Sequence, residues 1–220
     1  MLKCVIFDLD GVLVSTDEYH YQAWKQLAQE LQIPFDRHDN LRLRGVSRMD
    51  SLNIVLEKSS KTYSQDEKKA MADKKNGIYK GLLKNLTPDD SLPAAKESLI
   101  WLHSKEILTA VGSSSCNAGN ILHRIGLDAY LDTVITGLDI THSKPHPEVF
   151  AKAAQASGCL PEECLVVEDA DSGVAAGKAA GMKVLALSTA SQNPDADFSA
   201  PSLKEVFPHW QEILSSFADR

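Results

Sequence analysis

The sequence predicts an α/β fold with a parallel sheet as its core and a helical segment inserted after the first strand. Short runs rich in branched and aromatic residues recur along the chain, and helical patterns separate the later runs. Residues 16–87 break this rhythm, because they contain helical patterns and no convincing strand. With 220 residues, the chain is long enough for one large domain or for a domain that carries an insert.

Five apolar runs predict the strands of the sheet. They lack strong polar alternation, which is typical of parallel strands that are buried on both faces. The runs cover residues 3–8, 108–111, 131–135, 164–167 and 183–187. Helices are predicted between the later strands, over residues 118–125, 147–157 and 172–180.

The inserted segment predicts a second, helical domain. Apolar residues recur at three- and four-residue steps over residues 17–31, which predicts an amphipathic helix. Ser64 and Glu67 match a capping box that begins another helix. We therefore predict a core domain formed by residues 1–15 and 88–220, and a helical cap formed by residues 16–87.

Composition and charge narrow the functional classes. The chain is 43% hydrophobic and has a formal net charge of -7, so nothing favours binding to nucleic acid or to a membrane surface, which normally needs a basic patch. The four cysteines contain no CxxC pair, and their spacing does not predict a zinc site. No apolar run approaches the roughly 18 residues of a membrane helix, and the start does not fit a signal peptide. We expect a cytoplasmic monomer.

Polar side chains cluster where the predicted strands end. Along the chain these groups are Asp8 and Asp10, the serine-rich segment 112–117, Lys144, and Glu168 with Asp169. Ligands of open α/β sheets bind beyond the carboxyl ends of the strands, so these groups are expected to share one edge. Carboxylates suit a hard divalent cation, and a lysine with hydroxyl groups suits a phosphate.

These four motifs, in this order, resemble those of the haloacid dehalogenase superfamily of phosphoryl-transfer enzymes. The resemblance begins with FDLDGV at residues 7–12 and spans nearly the whole chain. It implies a Rossmann-like parallel sheet core with a helical cap inserted after the first strand. It also implies that Asp8 is the nucleophile and Asp10 the general acid and base, while Ser113 and Lys144 hold the transferring phosphoryl group. The implied Mg²⁺ ligands are Asp8, Asp10 through its backbone carbonyl, Glu168 and Asp169.

The predicted cap is similar to that of the β-phosphoglucomutase family, in which a sugar carrying two phosphates lies between two lobes. The matching stretches are residues 16–24, 44–52 and 74–76. The implied substrate contacts are His20, Trp24, Gly45, Val46, Ser47, Arg48, Ser51, Lys75, Ser114, Ser115, Cys116 and Asn117.

Three of these contacts, Arg48, Ser115 and Asn117, are implied to hold the phosphate that is not being transferred. The resemblance also implies that Gly45 and Val46 contact the sugar through backbone groups. His20 and Lys75 are implied to link closure of the cap to the placing of Asp10, the proton carrier.

The resulting hypothesis is a Mg²⁺-dependent isomerase that interconverts β-D-glucose 1-phosphate and glucose 6-phosphate through phosphorylated Asp8 and β-glucose 1,6-bisphosphate. The expected partner is therefore a small-molecule sugar phosphate. A mutase needs two phosphate sites because the bisphosphate must turn round, and the guanidinium of Arg48 suits such a site. A phosphatase would need only one.

Two alternatives remain at this stage. One is a sugar-phosphate phosphatase on the same scaffold, and the other is a phospho-acceptor signalling module, which is disfavoured because such modules lack this helical insert.

Two positions depart from the mutase pattern: Cys116 stands where a lysine is frequent, and Ser15 stands where an aspartate is usual. A related disaccharide or another hexose phosphate is therefore also conceivable as the substrate.

Overall fold

The sheet is built from buried apolar segments. The computed structural model describes residues 1–43 and 47–217, and within these residues six parallel strands form one sheet. The strands are β1 (Cys4–Phe7), β2 (Leu108–Gly112), β3 (Thr133–Ile135), β4 (Cys164–Glu168), β5 (Lys183–Leu187) and β6 (Phe198–Ala200). All residues of β1 and β4 are buried, which explains why these runs show no polar alternation.

The five predicted strands are confirmed, and the bounds of all but the third agree with the prediction to within one residue at each end. The third strand begins at Thr133, two residues later than predicted, because Asp132 turns its carboxylate to the backbone N–H of Thr109 at 2.8 Å. The edge strand β6 was not predicted. It has three partly exposed residues and pairs only with β5, so it carries little apolar signal.

Helices connect the strands and form the inserted segment. They are α1 (Asp17–Glu30), α2 (Arg37–Leu41), α3 (Arg48–Leu56), α4 (Gln65–Leu82), α5 (Ala95–Ser104), α6 (Ala118–Arg124), α7 (Glu148–Ala156), α8 (Asp171–Ala179), α9 (Leu203–Val206) and α10 (Trp210–Ser215). Short 3₁₀ turns occur at Leu83–Asn85, Pro88–Asp90, Asp128–Tyr130, Pro161–Glu163, Ser188–Gln192 and Phe207–His209. None of the described helices combines the length and the apolar composition that a membrane span requires.

The chain divides into two compact units. The core unit comprises residues 1–15 and 87–220 and contains the whole sheet, while the cap unit comprises residues 16–86 and contains α1 to α4. Side chains such as Ile6, Phe150 and Val166 pack in the apolar interior of the core unit. The cap unit has an apolar interior of its own, so each unit buries hydrophobic surface within itself.

The interior of the cap unit explains its helices. Trp24, Leu27 and Leu52 are almost completely buried in it. The predicted capping box at the start of α4 is confirmed: Ser64 Oγ accepts a hydrogen bond from the backbone N–H of Glu67, and the carboxylate of Glu67 accepts one from the backbone N–H of Ser64 at 2.7 Å. Such reciprocal bonds satisfy backbone donors that the first turn of a helix leaves unpaired.

The order of the strands predicts where ligands bind on the core unit. Across the sheet the order is β3-β2-β1-β4-β5-β6, so the chain runs from β1 towards one edge and then returns to build the other. In open α/β sheets, ligands bind beyond the carboxyl end of the strand at which this direction changes. Here that strand is β1, which is followed directly by Asp8.

Candidate active site

Two acidic residues lie side by side at the carboxyl edge because their strands are neighbours. Phe7 of β1 is paired with Val167 of β4, and the backbone N–H of Asp8 donates to the carbonyl of Val167 at 2.9 Å. Asp8 therefore follows β1 at the same level at which Glu168 ends β4. Both side chains are buried, so their charges need partners.

The ammonium group of Lys144 is that partner. Its Nζ donates to Asp8 Oδ1 at 2.5 Å and to Glu168 Oε1 at 2.6 Å. The side chain of Lys144 is only 9% exposed. Burial opposes its charge, but the attraction of Asp8 and Glu168 outweighs burial and raises the pKa of Lys144. The lysine is therefore protonated and neutralises part of the negative charge at the strand ends.

Glu168 is held from both sides. Its Oε2 accepts hydrogen bonds from the backbone N–H groups of Asp169 at 2.9 Å and Ala170 at 3.0 Å, while Oε1 accepts from Lys144. Burial raises the pKa of Glu168, and the attraction of the Lys144 ammonium opposes that rise. With both oxygens engaged, Glu168 fixes the position of the lysine.

The carboxylate of Asp169 lies in an environment with excess negative charge. Asp8, Glu168 and Asp169 offer ligand oxygens that all lie within 4.8 Å of one another. Burial, followed by repulsion from Asp8 and Glu168, raises the pKa of Asp169 to about 7. Three carboxylates beside one ammonium are a donor set that fits a hard divalent cation such as Mg²⁺.

Asp10 lies beside this group. Its charge also contributes to the raised pKa of Asp169, but among the residues that the structure describes, its carboxylate is not part of the set within 4.8 Å. Asp10 is half-buried and forms an isolated bridge with Val14.

Two glycines allow the acidic groups to approach the backbone. Gly11 has a φ of +83°, and a Cβ atom at this position would collide with the carboxylate of Asp169. Gly173, in the first turn of α8, lies so close to Glu168 that a Cβ atom there would collide with the carboxylate of Glu168. The packing around Asp169 and Glu168 thus requires the absence of a side chain at both positions.

The serine-rich loop follows β2 at the same edge. Ser113 is buried, its N–H donates to the carbonyl of Ile135 at 3.0 Å, and its Oγ accepts from the backbone N–H of Ser115 at 3.1 Å. The Oγ of Ser114 is shielded from solvent and has no hydrogen-bond partner among the described residues. Such a group is available to a ligand oxygen.

The second half of this loop leads into α6. Ser115 Oγ accepts from the backbone N–H of Asn117 at 3.2 Å, and Asn117 is buried at the position before the helix. Cys116 is exposed. Gly137 packs so tightly on this loop that a Cβ atom there would collide with the carbonyl of Ser114.

In the cap unit, a buried lysine lies among aromatic rings. Lys75 is 3% exposed, and its Nζ lies 2.8 Å from Nδ1 of His20. The same Nζ lies 4.8 Å from the ring centroids of Trp24 and Tyr79, within the range of a cation–π interaction. Tyr79 in turn donates its hydroxyl to Thr16 Oγ1 at 2.9 Å.

His20 is a neutral imidazole in this environment. Burial, followed by the positive charges of Lys75 and Arg48, lowers the pKa of His20 well below its usual value. Nδ1 of His20 therefore accepts the hydrogen bond that the Lys75 ammonium donates, and Nε2 carries the proton.

The other predicted cap contacts lie around the start of α3. Arg48 is its first residue and is half-buried, and Ser47 caps the helix with Oγ accepting from the backbone N–H of Asp50 at 3.2 Å. Ser51, one turn later, is buried. Gly45 and Val46 lie outside the described residues.

Two residues that contact these side chains, Gly173 and Tyr79, were not predicted from the sequence. Gly173 lies four residues after Asp169, and its only sequence signal was a glycine in the first turn of a predicted helix, where glycine is otherwise unfavourable. Tyr79 lies four residues after Lys75 on α4, so helical spacing could have placed the two side chains together.

A known protein family matches most of the chain. Residues 2–181 match the family described as haloacid dehalogenase-like hydrolase. This range includes every acidic residue at the strand ends described above, and it covers most of the chain.

Individual relatives include mutases and phosphatases. The chain is 39% identical over 183 residues to a β-phosphoglucomutase from Bacillus subtilis, covering 82% of this chain and 81% of that protein. It is 30% identical over 185 residues to a phosphorylated carbohydrates phosphatase from Thermotoga maritima, with 83% of both chains covered. A crystal structure of β-phosphoglucomutase from Clostridium difficile has a TM-score of 0.89, 34% sequence identity and 100% coverage of both chains.

A methyl group at Gly173 is expected to disturb the acidic group. Gly173→Ala should lower the free energy of unfolding by about 1–3 kcal/mol, because its Cβ displaces the Glu168 carboxylate. Gly119→Ala is the matched control: Gly119 lies in the first turn of α6 with nothing near its Cβ, so alanine should raise stability by about 0.4–1 kcal/mol. Urea denaturation measures the free energy of unfolding of both variants. Equal changes in the two variants would contradict the close packing of Gly173 against Glu168.

Acid is expected to destabilise the fold through His20. Because its pKa is lowered in the folded state, the unfolded chain binds the proton first as the pH falls below about 6.5. The free energy of unfolding should then fall by up to about 1.4 kcal/mol per pH unit for this proton. Urea denaturation between about pH 7 and pH 5 should show a smaller slope for His20→Gln than for the unsubstituted protein. The control is His123→Gln, which removes an exposed histidine. If the free energy of unfolding depended on pH equally in His20→Gln, in His123→Gln and in the unsubstituted protein, a neutral His20 in the folded state would be refuted.

Proposed function

Because the chain belongs to the haloacid dehalogenase-like hydrolase family, we propose that it is a β-phosphoglucomutase. It interconverts β-D-glucose 1-phosphate and glucose 6-phosphate through phosphorylated Asp8 and β-glucose 1,6-bisphosphate. The observation that carries the proposal is the buried Lys144 ammonium in contact with Asp8, next to Asp169. The mutase relatives from Bacillus subtilis and Clostridium difficile support the choice of reaction and sugar.

In the first step, a carboxylate oxygen of Asp8 attacks the phosphorus of one phosphate of β-glucose 1,6-bisphosphate. The new bond joins this oxygen to phosphorus, and the bond between phosphorus and the sugar oxygen breaks. A carboxylate is a poor nucleophile towards an anionic phosphate unless positive charge reduces the repulsion. Lys144 provides such charge at Asp8, and we assign the buried Ser113 to bind an oxygen of the transferring group.

Asp10 carries the proton in both directions. It donates a proton to the sugar oxygen that leaves phosphorus, and it then accepts a proton from the sugar hydroxyl that attacks phosphorylated Asp8. The second transfer regenerates the free carboxylate of Asp8 and yields β-glucose 1,6-bisphosphate. After the bisphosphate has turned round, its other phosphate is transferred to Asp8 and the isomeric sugar phosphate is released. Positioned proton carriers of this kind contribute about 10²–10⁴-fold to rate.

Asp8 and Asp169 are the residues that would hold Mg²⁺, together with the backbone carbonyl of Asp10. When bound, the ion supplies positive charge that offsets the carboxylates and the phosphate. Glu168 offers ligand oxygens in the same group, and both of its oxygens accept hydrogen bonds, so we also assign it the task of positioning Lys144.

The second phosphate needs ligands of its own. We assign this role to Arg48, Ser115 and Asn117. Arg48 is the first residue of α3, where the helix N-terminus adds partial positive charge, and its guanidinium can donate two parallel hydrogen bonds to a phosphate. The exposed Cys116 supplies no charge at the position where mutases frequently have a lysine.

A sugar-phosphate phosphatase is the second candidate. The phosphatase relative from Thermotoga maritima favours it, since it aligns over most of this chain. In that reaction, water takes the place of the sugar hydroxyl and releases inorganic phosphate from Asp8. The two candidates therefore share the first step and differ only in the acceptor.

The fate of the phosphoryl group distinguishes the two candidates. The purified protein is incubated with Mg²⁺, β-glucose 1-phosphate and a trace of β-glucose 1,6-bisphosphate, and glucose 6-phosphate is compared with free phosphate. We expect glucose 6-phosphate to exceed free phosphate by far. Release of phosphate in equal or greater amount would identify a phosphatase.

Removal of the nucleophile should abolish turnover. Asp8→Asn is expected to lower kcat by at least about 10⁴-fold, since the covalent route needs a carboxylate at this position. Asp139→Asn serves as the control, because Asp139 is exposed and its carboxylate caps the turn at Thr136. Steady-state kinetics measure both variants, and substantial activity in Asp8→Asn would exclude an aspartyl phosphate at this residue.

Removal of the Arg48 guanidinium should affect only substrates with a second phosphate. Arg48→Ala is expected to weaken bisphosphate binding by about 1.5–3 kcal/mol, the scale of a charge-assisted hydrogen bond. Hydrolysis of p-nitrophenyl phosphate, which has a single phosphate, should change little. Arg42→Ala is the control, since Arg42 forms an exposed ion pair with Glu57. Mutase kinetics that Arg48→Ala leaves unchanged would remove Arg48 from the site.

A further inference from the structure

The segment that carries Lys144 also holds three side chains that the proposed reaction does not use. His142, His146 and Glu148 offer ligand atoms that all lie within 4.8 Å of one another. Both histidines are exposed, and Glu148 is half-buried at the first position of α7. Two imidazoles and one carboxylate form a donor set that transition metals use in proteins.

Glu148 is already fixed in place. Its Oε1 accepts from the backbone N–H of Thr141 at 3.0 Å and forms an ion pair with Lys152 at 2.7 Å. Its Oε2 accepts from the backbone N–H of His142 at 2.8 Å. Lys152, followed by these backbone groups, lowers the pKa of Glu148 to about 2, so the carboxylate is ionised at neutral pH. Oε2 is thus an oriented, charged donor that faces His142.

The two imidazoles lie next to this oxygen. Nδ1 of His142 is 3.2 Å from Glu148 Oε2, close to the roughly 3.3 Å between two ligands of a tetrahedral zinc ion with bonds of about 2.0–2.1 Å. The ring of His146 lies with its centroid 4.6 Å from that of His142, and its Nδ1 accepts from the backbone N–H of Glu148 at 3.3 Å. Because His146 is exposed, its side chain can rotate to bring a nitrogen to the same ion.

We propose that His142, His146 and Glu148 bind a transition-metal dication such as Zn²⁺, with water as the remaining ligand. The ion would replace the hydrogen bond between His142 and Glu148. Imidazole ligands favour zinc, copper and nickel, whereas Mg²⁺ prefers a site made only of oxygen ligands. The proposed site therefore differs in metal preference from the carboxylate group at Asp8.

A comparable group in the cap unit is a weaker candidate. Asp36, His38 and Asp39 also offer atoms within 4.8 Å of one another, but this group has a single imidazole. Both carboxylate oxygens of Asp39 lie within 2.7 Å of the Lys58 ammonium, at 2.6 and 2.7 Å. The Lys58 ammonium thus engages both oxygens of Asp39, whereas the ion pair of Lys152 with Glu148 involves Oε1 and leaves Oε2 facing His142.

Calorimetric titration of the full chain with Zn²⁺, in excess Mg²⁺ to saturate the acidic group, tests the proposal. We expect one equivalent of Zn²⁺ to bind at micromolar concentration, and His142→Ala and His146→Ala each to weaken binding at least about tenfold, the scale of losing a partner at a metal site. The matched control is the double variant His123→Ala/His209→Ala, which removes two exposed histidines that each contact one acidic residue. Its affinity should equal that of the unsubstituted protein.

The location of the ion is read independently from backbone amide NMR signals. Zn²⁺ should shift the signals of residues 141–149 and leave those of residues 8–11 and 168–170 unchanged in the presence of Mg²⁺. Binding that persists in the double variant His142→Ala/His146→Ala, for example at the exposed thiol of Cys116, would overturn the proposal. The absence of binding below millimolar Zn²⁺ would overturn it as well.

Discussion

The contact of one buried ammonium group with two carboxylates organises the carboxyl edge of the sheet. Lys144 is nearly inaccessible to solvent, yet it remains charged because Asp8 and Glu168 each accept a hydrogen bond from its ammonium group. Breaking a buried ion pair on one side leaves an uncompensated charge, which costs several kcal/mol. Lys144, Asp8 and Glu168 therefore depend on one another, because replacing any one of them leaves a buried charge without a partner.

This arrangement also explains why small residues and backbone groups surround the acidic cluster. Gly11 and Gly173 leave the space that Asp169 and Glu168 occupy, and two backbone N–H groups hold Glu168. The positive charge supplied by Lys144 does not balance the three carboxylates, as the raised pKa of Asp169 indicates. A divalent cation would offset the remaining negative charge, which is the condition under which an anionic phosphate can approach an aspartate.

The positions of the core groups could be predicted from the sequence because they depend on a simple rule: the carboxyl ends of parallel strands meet at one edge. The different environments of Glu168 and Asp169 could not be predicted in this way. Glu168 and Asp169 are adjacent in sequence, and only the turn after β4 determines that the first binds backbone N–H groups while the second remains under-compensated. Likewise, β6 was missed because a short edge strand buries little, and Gly173 because close approach leaves no periodic signal.

In the proposed reaction, this charge arrangement makes Asp8 the residue that accepts a phosphoryl group. The most direct test is to mix the protein with Mg²⁺ and β-glucose 1,6-bisphosphate, quench with acid within one turnover, and locate the added phosphoryl mass by peptide mass spectrometry. We predict that the modification lies on Asp8 in the peptide that contains FDLDGV. A phosphoryl group found on another residue, or turnover without any phosphorylated enzyme, would contradict the account.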